Sequence, residues 1–223
     1  AAGVRPAALE VEFPYYADTL DELAAAAQLP TPADVIQQGP GQNKSYEQFM
    51  QSALEEIRQN ADISNVEVAT QIPPDAPQEM GVQNWSWVRA IVRAIDEHWL
   101  HASGSTIERF LHDVFIYVSY REVARRVDAI VEEKLTSEPT IVIGHSLGSV
   151  VAYKVVLKNR QKLDLRKFVT VGSPLGIRAI SSKLGVPENF AGEAGWYNAY
   201  DDRDIVAMYS NSVAKKELPA FEV

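Results

Sequence analysis

Residues 140–160 constrain this chain more than any other stretch. Thr140-Ile-Val-Ile143 is short, apolar and β-branched, the pattern of a parallel strand buried on both faces. Leu147 to Arg160 follows with helical spacing, and Lys154 and Lys158 fall on its outer face. Between them stands Gly144-His-Ser-Leu-Gly148, a G-x-S-x-G pentapeptide. By residue frequencies alone a chain of this length would hold about 0.1 such matches. The flanks carry the weight, because the motif needs a strand directly before it and a helix directly after it. A strand that turns at once into a helix strains the central serine and lifts its hydroxyl from the sheet. Small residues two positions before and after keep neighbouring backbone from colliding. The helix start then aims N–H groups at the same place, so the Leu147 backbone N–H is a candidate oxyanion donor. The plainer alternative is a Gly/Ser turn that merely permits tight strand–helix packing.

Further apolar runs extend the pattern. Lys167 to Val171 reads as another buried strand ending at Gly172-Ser-Pro174, and Trp196 to Tyr200 as a third, ending in Asp201-Asp-Arg-Asp204. Strands alternating with helices indicate an α/β domain with a mainly parallel sheet. Upstream, Leu9 to Tyr16 alternates as a strand and Val66 to Thr70 suggests a short one. Four capping boxes, at Thr19, Ser45, Ser105 and Ser119, predict helix starts. Their apolar stripes include Tyr46, Phe49, Met50, Ala53, Leu54 and Ile57, then Ile107, Phe110, Leu111 and Val114. A third stripe lies within 119–135, and Trp85 to Leu100 is apolar around much of its circumference. Gln28–Lys44 and Gln71–Gly81 read as loops. Ala1-Ala2-Gly3 reads as the tail of a helix with a glycine cap.

The segment 141–153, Ile-Val-Ile-Gly-His-Ser-Leu-Gly-Ser-Val-Val-Ala-Tyr, resembles the nucleophile elbow of α/β-hydrolases, especially bacterial lipase/esterase-like members. Val169-Thr-Val-Gly-Ser-Pro-Leu-Gly176 is similar to the strand and loop after that elbow helix. Trp196 to Ala207 looks like the strand and loop bearing the family's acid. The resemblance covers about 140–207, with weaker likeness at Phe13-Pro-Tyr-Tyr16 and 119–135. It implies the α/β-hydrolase fold, with residues 1–17 and 118–223 as core and 18–117 as a mainly helical cap insertion. It also implies a Ser-acid-His triad. Ser146 is then the nucleophile and Asp204 the acid, with Asp201 and Asp202 as rivals. The plainer reading of the aspartates is a solvated turn.

Two parts of that apparatus have no match. The chain contains four histidines, His98, His101, His112 and His145, and none follows Asp204. His145 sits beside the nucleophile, where the elbow backbone directs it away from the serine proton. The other three precede the elbow and read as helix positions. No His-Gly loop after an early strand supplies a second oxyanion N–H. One expectation covers both: the 223 residues belong to a longer chain whose catalytic histidine lies beyond Val223. A catalytically impaired homologue is the alternative.

The expected function is cleavage of a carboxylic ester through an acyl-enzyme on Ser146, without metal or organic cofactor. The expected substrate is a small ester or a lipid-like one, since Trp85, Trp87 and Trp99 fall in the insertion, where they read equally as core packing. An acyltransferase or thioesterase using the same serine, or a non-catalytic binding protein of this fold, are the alternatives. Net charge is -9 and cysteine is absent. The acidity argues against nucleic acid as partner, and the cysteine count excludes disulfides and thiolate chemistry. No apolar run of 18 residues suggests a membrane span. The first residues lack a signal-like pattern, which favours the cytoplasm.

Overall fold

The computed structural model describes residues 10–26, 44–77, 85–98, 104–185, 194–201 and 204–207. Among the described residues six helices come first: α1 (Ala17–Ala26), α2 (Lys44–Asn60), α3 (Asn65–Thr70), α4 (Trp85–His98), α5 (Gly104–Ser119) and α6 (Arg121–Glu132). Then β1 (Thr140–His145), α7 (Leu147–Asn159), β2 (Leu165–Val171), a 3-10 turn at Pro174–Gly176, α8 (Arg178–Leu184) and β3 (Trp196–Ala199) alternate. The described sheet has three strands in the order β1-β2-β3, and both pairings are parallel. The architecture is therefore mixed α/β with a parallel sheet and flanking helices.

The sheet explains why one face is covered. A right-handed crossover between parallel strands sets its helix on a fixed side. Both crossovers advance in the same direction along the sheet, so that rule assigns both to one face; α7 packs there on β1, and α8 packs against α2 and α5. Phe168, Thr170, Trp196 and Asn198 point there and are buried. Side chains one position out point to the other face. Ile141 is 59% exposed, Ile143 67% and Val171 36%. The expectation that β1 is buried on both faces is thus corrected: its β-branched alternate residues lie bare among the described residues. β2 likewise buries one face only.

The helical region shares its core with the sheet domain. One connected cluster of buried side chains runs from Leu20 through Ile57, Ile91, Leu111, Val127 and Val155 to Phe168 and Ile205. The expected stripes fill it, including Phe49, Ala53, Leu54, Ile107, Leu111, Val114, Val123 and Val131. Trp87 is buried in it, Trp85 is packed against it, and Trp99 lies outside the described residues. α6 and α7 are stitched by ion pairs, Lys154–Asp128 at 3.0 Å and Lys158–Glu132 at 2.7 Å. The two lysines placed on the outer face of α7 therefore bind its neighbour. Asp128 is buried and also accepts from the Tyr117 hydroxyl at 2.6 Å. Burial and Asp128 push the Tyr117 pKa upward.

Other local expectations change. Val66–Thr70 is helical, not extended: Ser64 and Glu67 form a reciprocal capping box that starts α3. That is the S-x-x-E signature, overridden in sequence by the β-branched residues behind it. Thr19, Ser45 and Ser105 fall inside their helices, which start at Ala17, Lys44 and Gly104. Ser119 ends α5, and Tyr120 precedes α6 without a side-chain cap. Glu122 instead pairs with Arg125 and Arg126. Residues 10–16 carry no assigned strand, although Val11, Phe13 and Tyr15 alternate on an exposed side. The expected helix tail at Ala1–Gly3 lies outside the described residues. Among the described residues, no helix is long and apolar enough to cross a membrane.

Candidate active site

Ser146 stands between β1 and α7 with φ 50° and ψ -126°. A non-glycine residue in this region is strained; among the described residues only Asp62 shares a positive φ without being glycine. The backbone on both sides holds the strain. The Ser146 N–H donates to the Val171 carbonyl at 3.0 Å, extending the β1–β2 ladder by one step. The Ser146 carbonyl accepts from the Ser149 N–H at 2.9 Å and from its hydroxyl at 2.6 Å. Ser149 is buried and has spent its proton on that bond, so Ser173 Oγ, 2.7 Å away, is the donor between the two hydroxyls. Ser173 in turn opens the 3-10 turn after β2. The turn is therefore anchored into the next strand's loop.

The two motif glycines have different reasons. A Cβ on Gly144 would lie 2.6 Å from Ser149 Cα and 2.8 Å from the Gly148 carbonyl oxygen. Both are backbone atoms, so no side chain could swing away. A Cβ on Gly148 would lie 3.5 Å from the Tyr16 hydroxyl. Tyr16 therefore reaches the start of α7, a neighbour that the early Phe13-Pro-Tyr-Tyr pattern did not assign to the site. Burial raises its pKa to about 12, which keeps the phenol protonated and able to donate at neutral pH. Leu147 opens α7, and the first N–H groups of a helix have no acceptor within it. Its N–H is thus placed at the turn as the motif requires.

The candidate acid Asp204 lies after β3. Asp204 Oδ1 accepts from the N–H groups of Val206 at 3.0 Å and Ala207 at 3.2 Å. The carboxylate is locked onto its own turn, and Oδ2 is left facing the end of β2. There Gly172, at φ 53°, would place a Cβ 3.3 Å from Asp204 Oδ2 and 3.6 Å from His145 Nε2. Gly172 also donates to the Ala199 carbonyl at 3.0 Å. Asp204 has a carboxylate oxygen turned toward the end of β2. Asp201 is exposed and accepts the Asp204 N–H through its backbone carbonyl at 2.8 Å; Asp202 lies outside the described residues.

The histidines divide. His145 is exposed at the last position of β1. His112 belongs to the helical layer, 3.5 Å from Asp113 and edge-on to the Tyr46 ring. The side chain of His98, and all of His101, lie outside the described residues. No histidine is hydrogen-bonded to the Ser146 hydroxyl among the described residues. No group of three or more metal-ligating side chains occurs among them either.

β2 and β3 are tied below the site by buried polar contacts. Trp196 Nε1 donates to Thr170 Oγ1 at 2.9 Å, and Thr170 donates on to Asn198 Oδ1 at 2.6 Å. These bonds fix the strands whose ends carry Gly172 and the Asp204 loop. Comparison with known protein families, with curated proteins and with solved structures gives no match for this chain.

Proposed function

We propose that this chain carries the nucleophile of a serine hydrolase that cleaves a carboxylic ester through an acyl-enzyme on Ser146. The observation that carries this reading is the Ser146 backbone, at φ 50° and ψ -126° between a parallel strand and a helix. A turn that merely packed a strand on a helix could use glycine there without strain. A serine kept in that conformation presents its hydroxyl at the strand's carboxyl end, where open α/β sheets bind ligands. The α/β-hydrolase fold with a helical cap over residues 18–117 belongs to the same proposal.

In the proposed reaction Ser146 Oγ attacks the acyl carbonyl while a histidine takes its proton. The Leu147 N–H, at the positive end of α7, stabilises the oxyanion. The carbonyl re-forms as the alcohol leaves with that proton, and water then releases the acid by the same steps. Asp204, held by two backbone N–H groups, orients the histidine and stabilises its cation.

The reading is tested by labelling the full natural protein with a fluorophosphonate serine probe. Labelling should occur and disappear in Ser146→Ala. Labelling that survives Ser146→Ala rejects Ser146 as the nucleophile, and a folded full-length protein that does not label at all favours a binding role.

A further inference from the structure

Three strand ends converge on one point at the top of the sheet. His145 closes β1, Gly172 follows β2, and Asp204 lies in the loop after β3. The site a Gly172 Cβ would fill has Asp204 Oδ2 at 3.3 Å and His145 Nε2 at 3.6 Å. Two polar atoms thus flank a position occupied only by a glycine hydrogen. Asp204 Oδ1 is already committed to the Val206 and Ala207 N–H groups. The oxygen beside Gly172 is the other one, Oδ2.

We propose that His145 is a positioning residue for Asp204, acting across the space that Gly172 leaves open. With its proton on Nε2, the imidazole donates toward Oδ2 through one bridging water. The carboxylate is then fixed on both oxygens: one by its own turn, the other by the strand that carries the nucleophile. The motif residue before Ser146 thereby couples the nucleophile's strand to the acid's loop. This role differs from that of a base, because His145 takes no proton from Ser146. A side chain at position 172 would intrude between the pair, which accounts for glycine there in addition to its positive φ.

The inference rests on the serine-hydrolase reading, and its test separates the two. The probe reaction is hydrolysis of a short p-nitrophenyl ester by the full natural protein. His145→Leu should lower kcat about tenfold and leave KM within twofold. His145→Gln, which returns an N–H donor of similar reach, should recover most of that loss. In an Asp204→Asn background, His145→Leu should cost less than a further twofold. A full tenfold loss in that background, a Gln variant no better than Leu, or an unchanged kcat in His145→Leu would each overturn the proposal. Should wild-type protein show no Ser146-dependent labelling, the hydrolase reading fails on its own, and thermal unfolding of the same two single variants and the double variant decides the contact. Midpoint shifts that fail to add sustain a His145–Asp204 contact, and additive shifts reject it.

Discussion

At the scale of single residues, backbone crowding dominates the elbow. Gly144 is buried, and every near neighbour of its absent Cβ is a backbone atom of Gly148 or Ser149. Overpacking of a tight site by one methyl group costs 1–3 kcal/mol when side chains can yield. Here the helix start itself must move. Gly144→Ala is therefore expected to lose about 3 kcal/mol of stability, at the upper end of that range, read as a lower urea midpoint at unchanged m-value. Fluorophosphonate labelling should fall with it, since the displaced atoms include those that hold the Ser146 carbonyl. Gly148→Ala meets only the Tyr16 hydroxyl at 3.5 Å, ordinary contact distance, and gives the matched comparison. This distinction was half legible in the sequence. The G-x-S-x-G spacing marks both glycines as small, but spacing alone does not say that one faces backbone and the other a tyrosine 132 residues earlier in the chain.

At the scale of elements, the helices were read well by their stripes and poorly by their ends. Apolar periodicity integrates over a dozen residues, so α2, α5 and α6 emerge from it directly. A cap depends on one or two residues and competes with other uses of the same side chain. The spacing makes Glu122 the closing member of a box, but it binds two arginines on its own helix. Val66 and Val68 favour a strand by propensity, yet Val68 is fully buried as a helical residue. Glu108, which the sequence pattern marks as the closing member of the Ser105 box, is buried instead. This α5 residue is 7% exposed, and burial together with Asp96 of α4 raises its carboxyl to about 7. The folded state therefore keeps a proton that the unfolded state releases near the ordinary glutamate range. Stability from this group is present at low pH and is lost as pH rises toward and through 7. Unfolding free energy should fall by on the order of 2 kcal/mol between pH 5 and 8 through Glu108. Urea denaturation of wild type and Glu108→Gln at both pH values checks this. The glutamine variant should lack that part of the decline, and equal slopes in the two proteins would reject it.

At the scale of the whole molecule, the three described strands bury one side and bare the other. The sequence pattern of β1 is true to a sheet covered on both faces: Ile141 and Ile143 are as apolar as Val142 between them. What the pattern cannot convey is which elements do the covering. That depends on strand order, and the order β1-β2-β3 puts both crossovers on the same side. The outer edge of β1 has no strand beside it among the described residues. Residues 10–16 run from Glu12, paired with Lys134 at 3.1 Å, to Tyr16 beside the start of α7. They too turn apolar side chains outward, with Val11 78% and Phe13 84% exposed. An apolar surface of this kind is favourable to cover, at about 25 cal/mol per Å² removed from water, and it binds hydrophobic dyes when left open. The two faces of the sheet should therefore respond oppositely to mutation in residues 1–223 as an isolated chain. Replacing Ile141 and Ile143 together by threonine keeps the β-branch, should change unfolding free energy by less than about 1 kcal/mol, and should lower anilinonaphthalene sulfonate fluorescence. Phe168→Ala on the covered face empties a site of zero exposure and should cost about 3–5 kcal/mol. A large loss from the isoleucine pair in the isolated chain would mean that the outer face is covered there after all. The same pair of substitutions, repeated in the full natural protein, then measures whether that face is buried by other chain: a cost that grows to several kcal/mol locates a second layer on it, and an unchanged small cost leaves it open.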